Sequence, residues 1–326
     1  MPKRIIAVLC GGFTAEQNIS LLSGDVVYKH LDREKYDCYK VIISETGWKV
    51  ESENAAVDLA DFSFMKNGNK IKFDAVFNAI HGSPGEDGKI QGYLDMLKIP
   101  YTNCGAAASA LTFNKFWTKE VVEDIVPTAK GILIKKNKSE IAEAIAFIKL
   151  SYQLPVFVKP NNNGSSYGIS KIKNFDDLDN AITEALKFDE EVLVEEGIDG
   201  TEVTCGLFAS SKGIEILPIC EIAVEKHEFF DYTAKYTTGE SDEIIPALIS
   251  GDEKNKVEDY SRKIYSRLNC KGVVRIDFII RNGQPHMLEV NTVPGLSENS
   301  IVPKMARAAG YTLTGFFDRL IESTCN

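Results

Sequence analysis

The feature that most constrains the fold is a stretch near the end of the sequence, residues 273–295. Two apolar runs there flank Asn282 and Gly283, a dipeptide that strongly favours a tight turn between antiparallel strands. Side chains alternate between the two faces of a strand, so the turn decides which residues share a face. The stretch therefore predicts a β-hairpin with one apolar face and one polar face.

The length of the turn sets the register of this hairpin. A strict two-residue turn would put the apolar residues of the two strands on opposite faces. A three-residue loop, Arg281 to Gly283 with Gly283 in the left-handed region, would put them on one face, and we therefore predict that loop. The apolar set is then Val274, Ile276, Phe278, Ile280, Leu288 and Val290, and the polar set is Arg275, Asp277, Glu289 and Asn291.

The polar face of the predicted hairpin carries two carboxylates, one amide and one guanidinium. Oxygen ligands of this kind suit Mg²⁺, which proteins usually hold with a few carboxylates together with substrate phosphates. Arg275 could stabilise negative charge on a transferring phosphoryl group. The alternative is a hairpin with one solvated face, in which Arg275 pairs with Glu289. The hairpin alone leaves both interpretations open.

Length, charge and cysteine usage limit the classes of protein to which this chain can belong. The 326 residues predict two or three domains, and the net charge of −10 disfavours nonspecific binding of nucleic acid. No apolar run approaches the roughly 20 residues that span a bilayer. Seven cysteines without a C-x-x-C spacing indicate reduced thiols and no zinc site. We therefore expect a cytoplasmic protein without a membrane or nucleic-acid partner.

The N-terminal third alternates strands, glycine-rich turns and helices. An apolar run over 5–10 leads into Gly11 and Gly12, and residues 14–17 form a capping-box pattern before a helical period. A later strand, 75–80, ends at a polar loop, where open α/β sheets place ligands. We predict an open α/β domain. A dinucleotide fingerprint and a P-loop are excluded because neither glycine pattern occurs.

The middle of the chain contains signals for phosphate binding. The run 154–160 predicts a strand with Lys159 at its end, followed by the polar loop 161–168. Backbone N–H groups and serine hydroxyls in such a loop can surround a phosphate, although a plain surface turn is the commoner role. A helix predicted over 107–122 carries a second basic side chain, Lys115.

Seven stretches, taken in chain order, resemble the ATP-grasp ligases and, within them, the D-alanine–D-alanine ligase family. No single stretch is specific, but the combination covers nearly the whole chain in the family order. The stretches are G-G-F-T-A-E-Q-N-I-S at 11–20, H-G-S-P-G-E-D-G at 81–88, V-K-P-N-N-N-G-S-S-Y-G at 158–168, G-T-E-V-T at 200–204, D-Y-T-A-K-Y at 231–236, V-R-I-D-F at 274–278 and E-V-N-T-V-P-G at 289–295.

The resemblance implies an α/β (α+β) protein with an ATP-grasp fold, preceded by an open, Rossmann-like α/β domain. It implies three domains, 1–104, 105–195 and 196–326, with ATP held between the second and third. The implied activity is ATP-dependent ligation of two D-alanines through a D-alanyl phosphate, for peptidoglycan synthesis. The implied state is a homodimer that uses two Mg²⁺ or Mn²⁺ ions.

The resemblance also implies a role for each candidate site residue. The residues implied to contact ATP are Lys115, Lys159, Gly164, Ser165, Ser166, Glu195, Glu196, Ile198, Glu202 and Lys235. The implied metal ligands are Asp277, Glu289 and Asn291. The residues implied for the substrates and the reaction are Glu16, His81, Ser165, Tyr236, Arg275, Gly295, Ser300 and Ile301.

Within the last group, Glu16 is expected to bind the ammonium of the first D-alanine, with His81 near its carboxylate. Ser165 and Tyr236 are expected to link to Glu16 and to hold a lid closed. That lid is the long polar segment 225–246, whose lack of periodicity is typical of a binding loop.

The expected chemistry is a two-step ligation. Phosphorylation by ATP turns a carboxylate, a poor electrophile, into an acyl phosphate that an amine can attack. Arg275 and the backbone N–H of Gly295 are expected to stabilise the oxyanion, at about 3–4 kcal/mol for each donor. Ser300 is expected to bind the carboxylate of the second D-alanine.

Each residue taken alone has a plainer interpretation. Glu16 could be a favourable charge at a helix N-terminus, Lys115 a solvent-facing side chain, and Ser300 an N-cap. Similarly, His81 could be a hydrogen-bonded loop histidine, and Tyr236 could serve packing. The combination in family order favours the functional interpretation.

Two alternative functions remain open at this point. One is another ATP-grasp carboxylate–amine ligase with a different acceptor, which the set Glu16, Tyr236 and Ser300 disfavours. The other is an inactive nucleotide-binding protein on this fold, which would have lost a metal ligand or a phosphate-binding lysine. Neither loss occurs, and the departures from the family pattern are limited to 83–84 and Ile276.

Overall fold

Strands and helices alternate along most of the chain, which we describe from a computed structural model over residues 2–162, 164, 167–223 and 242–324. The strands are Arg4–Gly11 (β1), Tyr36–Ser44 (β2), Gly47–Val50 (β3), Ala55–Ala56 (β4), Ser63–Lys66 (β5), Asn69–Lys72 (β6), Ala75–Asn78 (β7), Gly131–Lys135 (β8), Val156–Pro160 (β9), Ser170–Ile172 (β10), Glu191–Glu196 (β11), Thr201–Ser210 (β12), Gly213–Ile216 (β13), Cys220–Ala223 (β14), Asp242–Ile244 (β15), Val273–Arg281 (β16) and Gln284–Asn291 (β17). The α-helices are Gln17–His30 (α1), Lys89–Met96 (α2), Ala106–Phe113 (α3), Lys115–Val122 (α4), Lys138–Ser151 (α5), Leu178–Ala185 (α6), Gly251–Arg267 (α7), Ile301–Ala308 (α8) and Leu313–Thr324 (α9).

The N-terminal sheet is the open α/β sheet that the sequence predicts. β1 runs parallel to β2 and to β7, while β3 and β4 extend one edge in antiparallel fashion. β1 is buried from Ile6 onwards because the sheet is covered on both faces. The capping box expected over 14–17 does not form. Glu16 occupies the N-cap position of α1 without a side-chain cap, and its carboxylate instead approaches Gly82 and Gly164.

The single helix expected over 107–122 is two helices. The backbone of Asn114 is extended, which ends α3, and its side-chain oxygen accepts a hydrogen bond of 3.0 Å from the N–H of Trp117, which caps α4. Lys115 therefore begins α4. Lys119 follows one turn later on the same face, and both lysines are buried.

β5 and β6 form a separate antiparallel pair, and two antiparallel sheets account for the rest of the described strands. The smaller has the order β10-β9-β11-β8, and the larger has the order β15-β14-β12-β16-β17, with β13 on β12. The helices α3 and α4 pack on the larger sheet, and α8 and α9 pack against the N-terminal sheet, where the rings of Phe77 and Phe317 lie 5.5 Å apart. Hydrophobic cores therefore cross the boundaries expected at 104 and 195, and the three-domain division stays a prediction.

Two observations bear on the expectations from composition. The thiols of Cys10, Cys38, Cys104, Cys205, Cys220 and Cys270 are buried and free. Within the part of the chain that the structure describes, no helix combines the length and the apolar character that crossing a membrane requires.

The hairpin β16–β17 has the predicted polar face but a different turn. Asn282 and Gly283 both have positive φ, 52° and 74°, and form a two-residue turn, with Arg281 opposite Gln284. The predicted three-residue loop is therefore wrong. Asparagine tolerates the left-handed region, and a turn with two such residues matches the twist of the strands.

A β-bulge adds the one extra residue that the predicted three-residue loop would have contributed and the two-residue turn lacks. Phe278 pairs with Met287 but Asp277 pairs with Glu289, so Leu288 is the extra residue of β17. The bulge restores the even register, with Arg275 opposite Asn291, and keeps the polar residues on one face. Leu288, which the sequence pattern places on the apolar face, instead lines a cleft, and Met287 is fully buried in the core.

These positions predict different consequences for two neighbouring truncations. Met287→Ala should lower the free energy of unfolding by about 2–5 kcal/mol, because it leaves a cavity in the core. Leu288→Ala should cost clearly less stability and should weaken nucleotide binding instead. Urea denaturation and calorimetric titration with ATP would measure both effects. A larger loss of stability for Leu288→Ala would contradict the register.

Candidate active site

A cleft of about 800 Å³, including space open to solvent, lies between the smaller sheet and the larger sheet. Its lining includes eight residues that the sequence singles out, seven of them charged and one apolar: Lys115, Lys159, Glu195, Glu196, Glu202, Asp277, Glu289 and Ile198. Its remaining, apolar lining is Ala129, Phe157, Ile169, Ile279 and Leu288, which sequence reasoning did not identify.

Lysines and carboxylates meet along this cleft. The Nζ of Lys115 lies 3.6 Å from a carboxylate oxygen of Glu289, so α4 faces the hairpin. Glu195 is 3% exposed and forms ion pairs with both Lys159 and Lys119. The plainer interpretation of Lys115 as a solvent-facing residue is therefore wrong, since its side chain is only 9% exposed.

Asn161 joins the elements that carry two of these lysines. It follows β9, the strand that bears Lys159, and it is fully buried. Its carbonyl oxygen accepts from the N–H of Lys115 at 3.1 Å, and its side-chain oxygen accepts from the N–H of Phe116 at 2.9 Å. These bonds satisfy first-turn donors of α4 and fix its start against β9. The sequence showed Asn161 only as part of a polar loop.

The polar face of the hairpin is held by charge-assisted hydrogen bonds. Arg275 donates to both oxygens of Asp277, from Nε at 2.9 Å and from Nη2 at 2.7 Å. Thr204 on β12 donates to the same carboxylate at 2.5 Å. The alternative pairing of Arg275 with Glu289 is much looser, at 4.0 Å. Arg275 therefore pairs mainly with Asp277 in this structure.

The donor set of the hairpin fits a hard divalent cation. Asp277 and Glu289 lie directly opposite each other, and the amide of Asn291 extends the same face. The oxygens already engaged by Arg275, Thr204 and the N–H of Val293 keep further lone pairs. Within the described ranges, no group of three His, Cys, Asp or Glu side chains forms a metal cluster. Two carboxylates and an amide are thus the available set.

Glu16 precedes α1 and belongs to the part of the site that the N-terminal α/β domain contributes. It is 6% exposed, and a Cβ added at Gly164 would come within 2.7 Å and 2.9 Å of its two carboxylate oxygens. The loop after β9 therefore closes onto Glu16, and glycine is required at 164 for that approach. Gly82, with a φ of 67°, makes a similar approach from the other side.

His81 and Ser23 connect the N-terminal sheet to the loop 292–296. The Nδ1 of His81 donates to the carbonyl of Val293 at 2.9 Å, and its Nε2 bonds to the hydroxyl of Ser23 at 2.9 Å. Ser23 Oγ in turn accepts from the N–H of Leu296 at 3.1 Å. Burial lowers the pKa of His81, and a neutral ring with its proton on Nδ1 is compatible with these hydrogen bonds.

Gly295 belongs to that loop and lies beside Ser300. A Cβ at Gly295 would come within 2.8 Å of the hydroxyl of Ser300, which is also 2.7 Å from the hydroxyl of Ser297. Ser300 occupies the N-cap position of α8 but makes no cap hydrogen bond with its side chain. The Ile301 side chain packs in the core, so only its backbone can face the site.

Four of the expected site residues lie outside the described residues, namely Ser165, Ser166, Lys235 and Tyr236. The expected lid, 225–246, lies largely outside them as well. The others come together around one cleft and the loop at its end. Sequence reasoning missed Ser23, Lys119 and Asn161, of which only Lys119 gave a signal, its i+4 spacing from Lys115.

The pair of antiparallel sheets with lysines on one wall of a cleft and a carboxylate-bearing hairpin on the other defines an ATP-grasp fold, as the sequence predicts. Two family descriptions match the chain, "D-ala D-ala ligase N-terminus" over residues 5–104 and "D-ala D-ala ligase C-terminus" over residues 124–322. The chain therefore belongs to the D-alanine–D-alanine ligase family.

Individual relatives agree with this assignment over nearly full length. The chain is 43% identical to a D-alanine–D-alanine ligase of Flavobacterium johnsoniae, covering 97% of this chain and 98% of the relative. It is 41% identical to the enzyme of the same name from Azobacteroides pseudotrichonymphae, covering 98% and 99%.

Solved structures give the same result. The D-alanyl-alanine synthetase A of Vibrio cholerae matches with a TM-score of 0.89 and 28% identity, covering 100% of this chain and 99% of that one. The VanG D-Ala:D-Ser ligase of Enterococcus faecalis matches with 0.88 and 30%, covering 99% and 100%. A D-alanine–D-alanine ligase of Bacillus anthracis complexed with ATP matches with 0.78 and 29%, covering 99% and 97%.

The link between Ser23 and the loop 292–296 predicts a specific effect of its removal. Ser23→Ala should lower stability by about 1–3 kcal/mol, because it leaves buried polar groups of His81 and Leu296 unpaired. It should also lower kcat about 10-fold, because a misplaced loop misplaces the N–H of Gly295. Thermal unfolding and steady-state kinetics would measure the two effects.

Ser20→Ala is the matched control for this variant. Ser20 is equally buried on α1, but its hydroxyl donates to the carbonyl of Ala79 and has no recorded bond to the loop 292–296. It should lose comparable stability and keep kcat. Equal losses of kcat in the two variants would mean that Ser23 has no special role in positioning the loop.

Proposed function

We propose that the protein joins two D-alanines into D-alanyl-D-alanine, in an ATP-dependent reaction that passes through a D-alanyl phosphate and supplies peptidoglycan synthesis. The observation that carries the proposal is the meeting of Lys115 and Lys159 with the Asp277–Glu289 pair across one cleft. Such a site combines cations for phosphate oxygens with oxygen ligands for a divalent metal.

The nucleotide would occupy the cleft. The apolar lining contributed by Phe157, Ile169 and Leu288 suits the flat faces of adenine. Glu196 and Ile198 lie beside that lining, and Glu202 offers a carboxylate to the ribose. The role of Glu195 toward adenine is constrained by its ion pairs, because both of its oxygens face lysines.

The phosphates would lie toward Lys115 and Lys159, whose positive charges offset the negative charge of the transferred group. Asp277, Glu289 and Asn291 would hold two Mg²⁺ or Mn²⁺ ions, which supply charge neutralisation of the phosphate oxygens when bound. Gly164, together with Ser165, Ser166 and Lys235, would close over the phosphates. The last three residues take this role from the family resemblance alone.

In the first step, a carboxylate oxygen of the first D-alanine attacks the γ-phosphorus of ATP, and ADP leaves. Glu16 would hold the ammonium of this D-alanine, since its buried carboxylate faces the loop at 164. His81 would lie near the carboxylate. Because both ring nitrogens of His81 are already bonded, one to Val293 and the other to Ser23, we assign the imidazole to fixing the loop rather than to proton transfer.

In the second step, the amine of the second D-alanine attacks the acyl carbon, loses a proton, and phosphate leaves. Arg275 and the N–H of Gly295 would stabilise the oxyanion that forms. The hydroxyl of Ser300, which is not used as a helix cap, would bind the carboxylate of this D-alanine, with the backbone N–H of Ile301 beside it. Tyr236, with Ser165, would hold the lid closed, so that water does not hydrolyse the acyl phosphate.

The proposal includes the organisation of the protein. We propose three domains close to 1–104, 105–195 and 196–326, a homodimer, and a cytoplasmic location. These parts rest on the family resemblance, and the packing of α3 and α4 on the larger sheet bears on the division between the second and third domains.

Measurement of phosphate release would test the function. The protein would be supplied with ATP and Mg²⁺ and, in turn, with D-alanine, L-alanine, D-alanine plus D-serine, D-alanine plus D-lactate, or no amino acid. We expect release only where D-alanine is present, with D-alanyl-D-alanine as the product identified by mass. Tight binding of ATP without D-alanine-dependent release would favour an inactive nucleotide-binding protein instead.

The metal assignment predicts the effect of neutral isosteres. Asp277→Asn and Glu289→Gln should each lower kcat at least about 100-fold while the fold is retained, because each removes a charged ligand. Asp124→Asn is the matched control. Asp124 also pairs with an arginine through two oxygens, Arg267 at 2.8 Å, but on the surface. Activity near that of the wild type in either hairpin variant would refute the assignment.

A further inference from the structure

Lys119 is a buried lysine that the proposed reaction does not use. Its side chain is 7% exposed, and its ammonium forms an ion pair with Glu195. It lies on α4 one turn after Lys115, on the same buried face. A buried ammonium is costly unless a partner compensates it, so the presence of this lysine requires a reason.

The position of Lys119 separates it from the other two lysines. Lys115 and Lys159 line the cleft together with Glu195, whereas Lys119 is absent from the described residues that line it. Lys119 therefore reaches the cleft only through the carboxylate that it contacts. It cannot bind a nucleotide directly from this position, and any effect on the nucleotide must pass through Glu195.

Glu195 is shared between two lysines, one at each oxygen. Lys119 contacts Oε1 and Lys159 contacts Oε2. One negative charge thus faces two positive charges in a buried setting. Burial, and then the nearby charges of Lys159 and Lys115, lower the pKa of the Lys119 ammonium well below its usual value. The charge of Glu289 opposes that shift, because a nearby negative charge stabilises the charged form of the lysine.

This sharing has a consequence when a polyanion enters the cleft. A phosphate attracts Lys159 away from Glu195, which would leave a buried carboxylate without a counter-charge if Lys159 were its only partner. With Lys119 behind it, Glu195 stays paired while Lys159 turns to the phosphate. The second lysine therefore removes an electrostatic penalty from nucleotide binding.

We propose that Lys119 is a positioning residue that keeps Glu195 paired and oriented and so releases Lys159 to bind the nucleotide phosphates. The inference rests on the proposed nucleotide site. It adds a residue that acts on that site through another side chain. The residue would set the affinity for ATP rather than the rate of the chemical steps.

The test is a double-mutant cycle on ATP binding, measured by calorimetric titration of the full-length protein with ATP and Mg²⁺. Lys119→Met, which keeps much of the side-chain volume, should raise the Kd for ATP about 10-fold or more, because it leaves Lys159 bound to Glu195. In a Glu195→Gln background, the same change should alter the Kd less than about 2-fold, because there is no charge left to pair.

Val122→Ala is the control for a purely structural effect. Val122 is fully buried on the same helix, so its truncation should lower stability. It should leave the Kd for ATP unchanged. Lys119→Gln serves as a second variant if Lys119→Met does not fold, and thermal unfolding without nucleotide would establish that each variant is folded.

The measured Kd values distinguish failure of the role of Lys119 from failure of the proposed nucleotide site. A wild-type protein that binds no ATP would overturn both. A wild type that binds ATP, with an unchanged Kd in Lys119→Met, would overturn only the role of Lys119. An equal loss of affinity with and without Glu195→Gln would also overturn it, since Lys119 would not then act through Glu195. A raised KM for ATP with a nearly unchanged kcat would support it.

Discussion

Opposite charges face each other across one cleft, and much of the structure serves to keep them buried and paired. Removing a charge from water is expensive, so each buried ion needs a partner held in good geometry. Arg275 binds both oxygens of Asp277, Lys115 faces Glu289, and Glu195 is shared by two lysines. Entry of a nucleotide and a metal would exchange these internal pairs for contacts with the substrate. The internal ion pairs thus hold these side chains in place until a nucleotide and a metal bind.

The positions of these charges depend on elements that are distant in sequence. The register of the hairpin determines where its carboxylates lie, and the capped start of α4 determines where its lysines lie. Asn161 fixes α4 against β9. On the far side, Ser23 and His81 connect the N-terminal sheet to the loop that carries Gly295. The N-terminal sheet, the smaller antiparallel sheet and the larger antiparallel sheet therefore all contribute to one site. Through these bonds, a change on α1 is expected to alter the position of the loop 292–296.

The sequence predicts much of this site, and its failures have physical causes. Alternation along the hairpin identifies the polar face correctly, because one face of a strand pair must be buried. The alternation of apolar and polar residues cannot distinguish a three-residue loop from a two-residue turn followed by a bulge, because both put Arg275, Asp277, Glu289 and Asn291 on one face. The prediction therefore places Leu288 on the apolar face, which Met287 occupies in the structure. Ser23 and Asn161 act through tertiary contacts with residues far along the chain, which no local pattern reveals. Lys119 could be located by helical spacing, but its burial against Glu195 depends on how α4 packs.

The proposed function depends on one step above all, in which the carboxylate of D-alanine is activated by phosphorylation in the cleft. The most direct test uses D-alanine whose carboxylate oxygens are ¹⁸O, with unlabelled ATP, and measures the isotope in the released phosphate by mass spectrometry. An acyl phosphate requires one carboxylate oxygen to leave with the phosphate, so the account predicts one ¹⁸O in each phosphate released. Phosphate without ¹⁸O, formed together with the dipeptide, would contradict it.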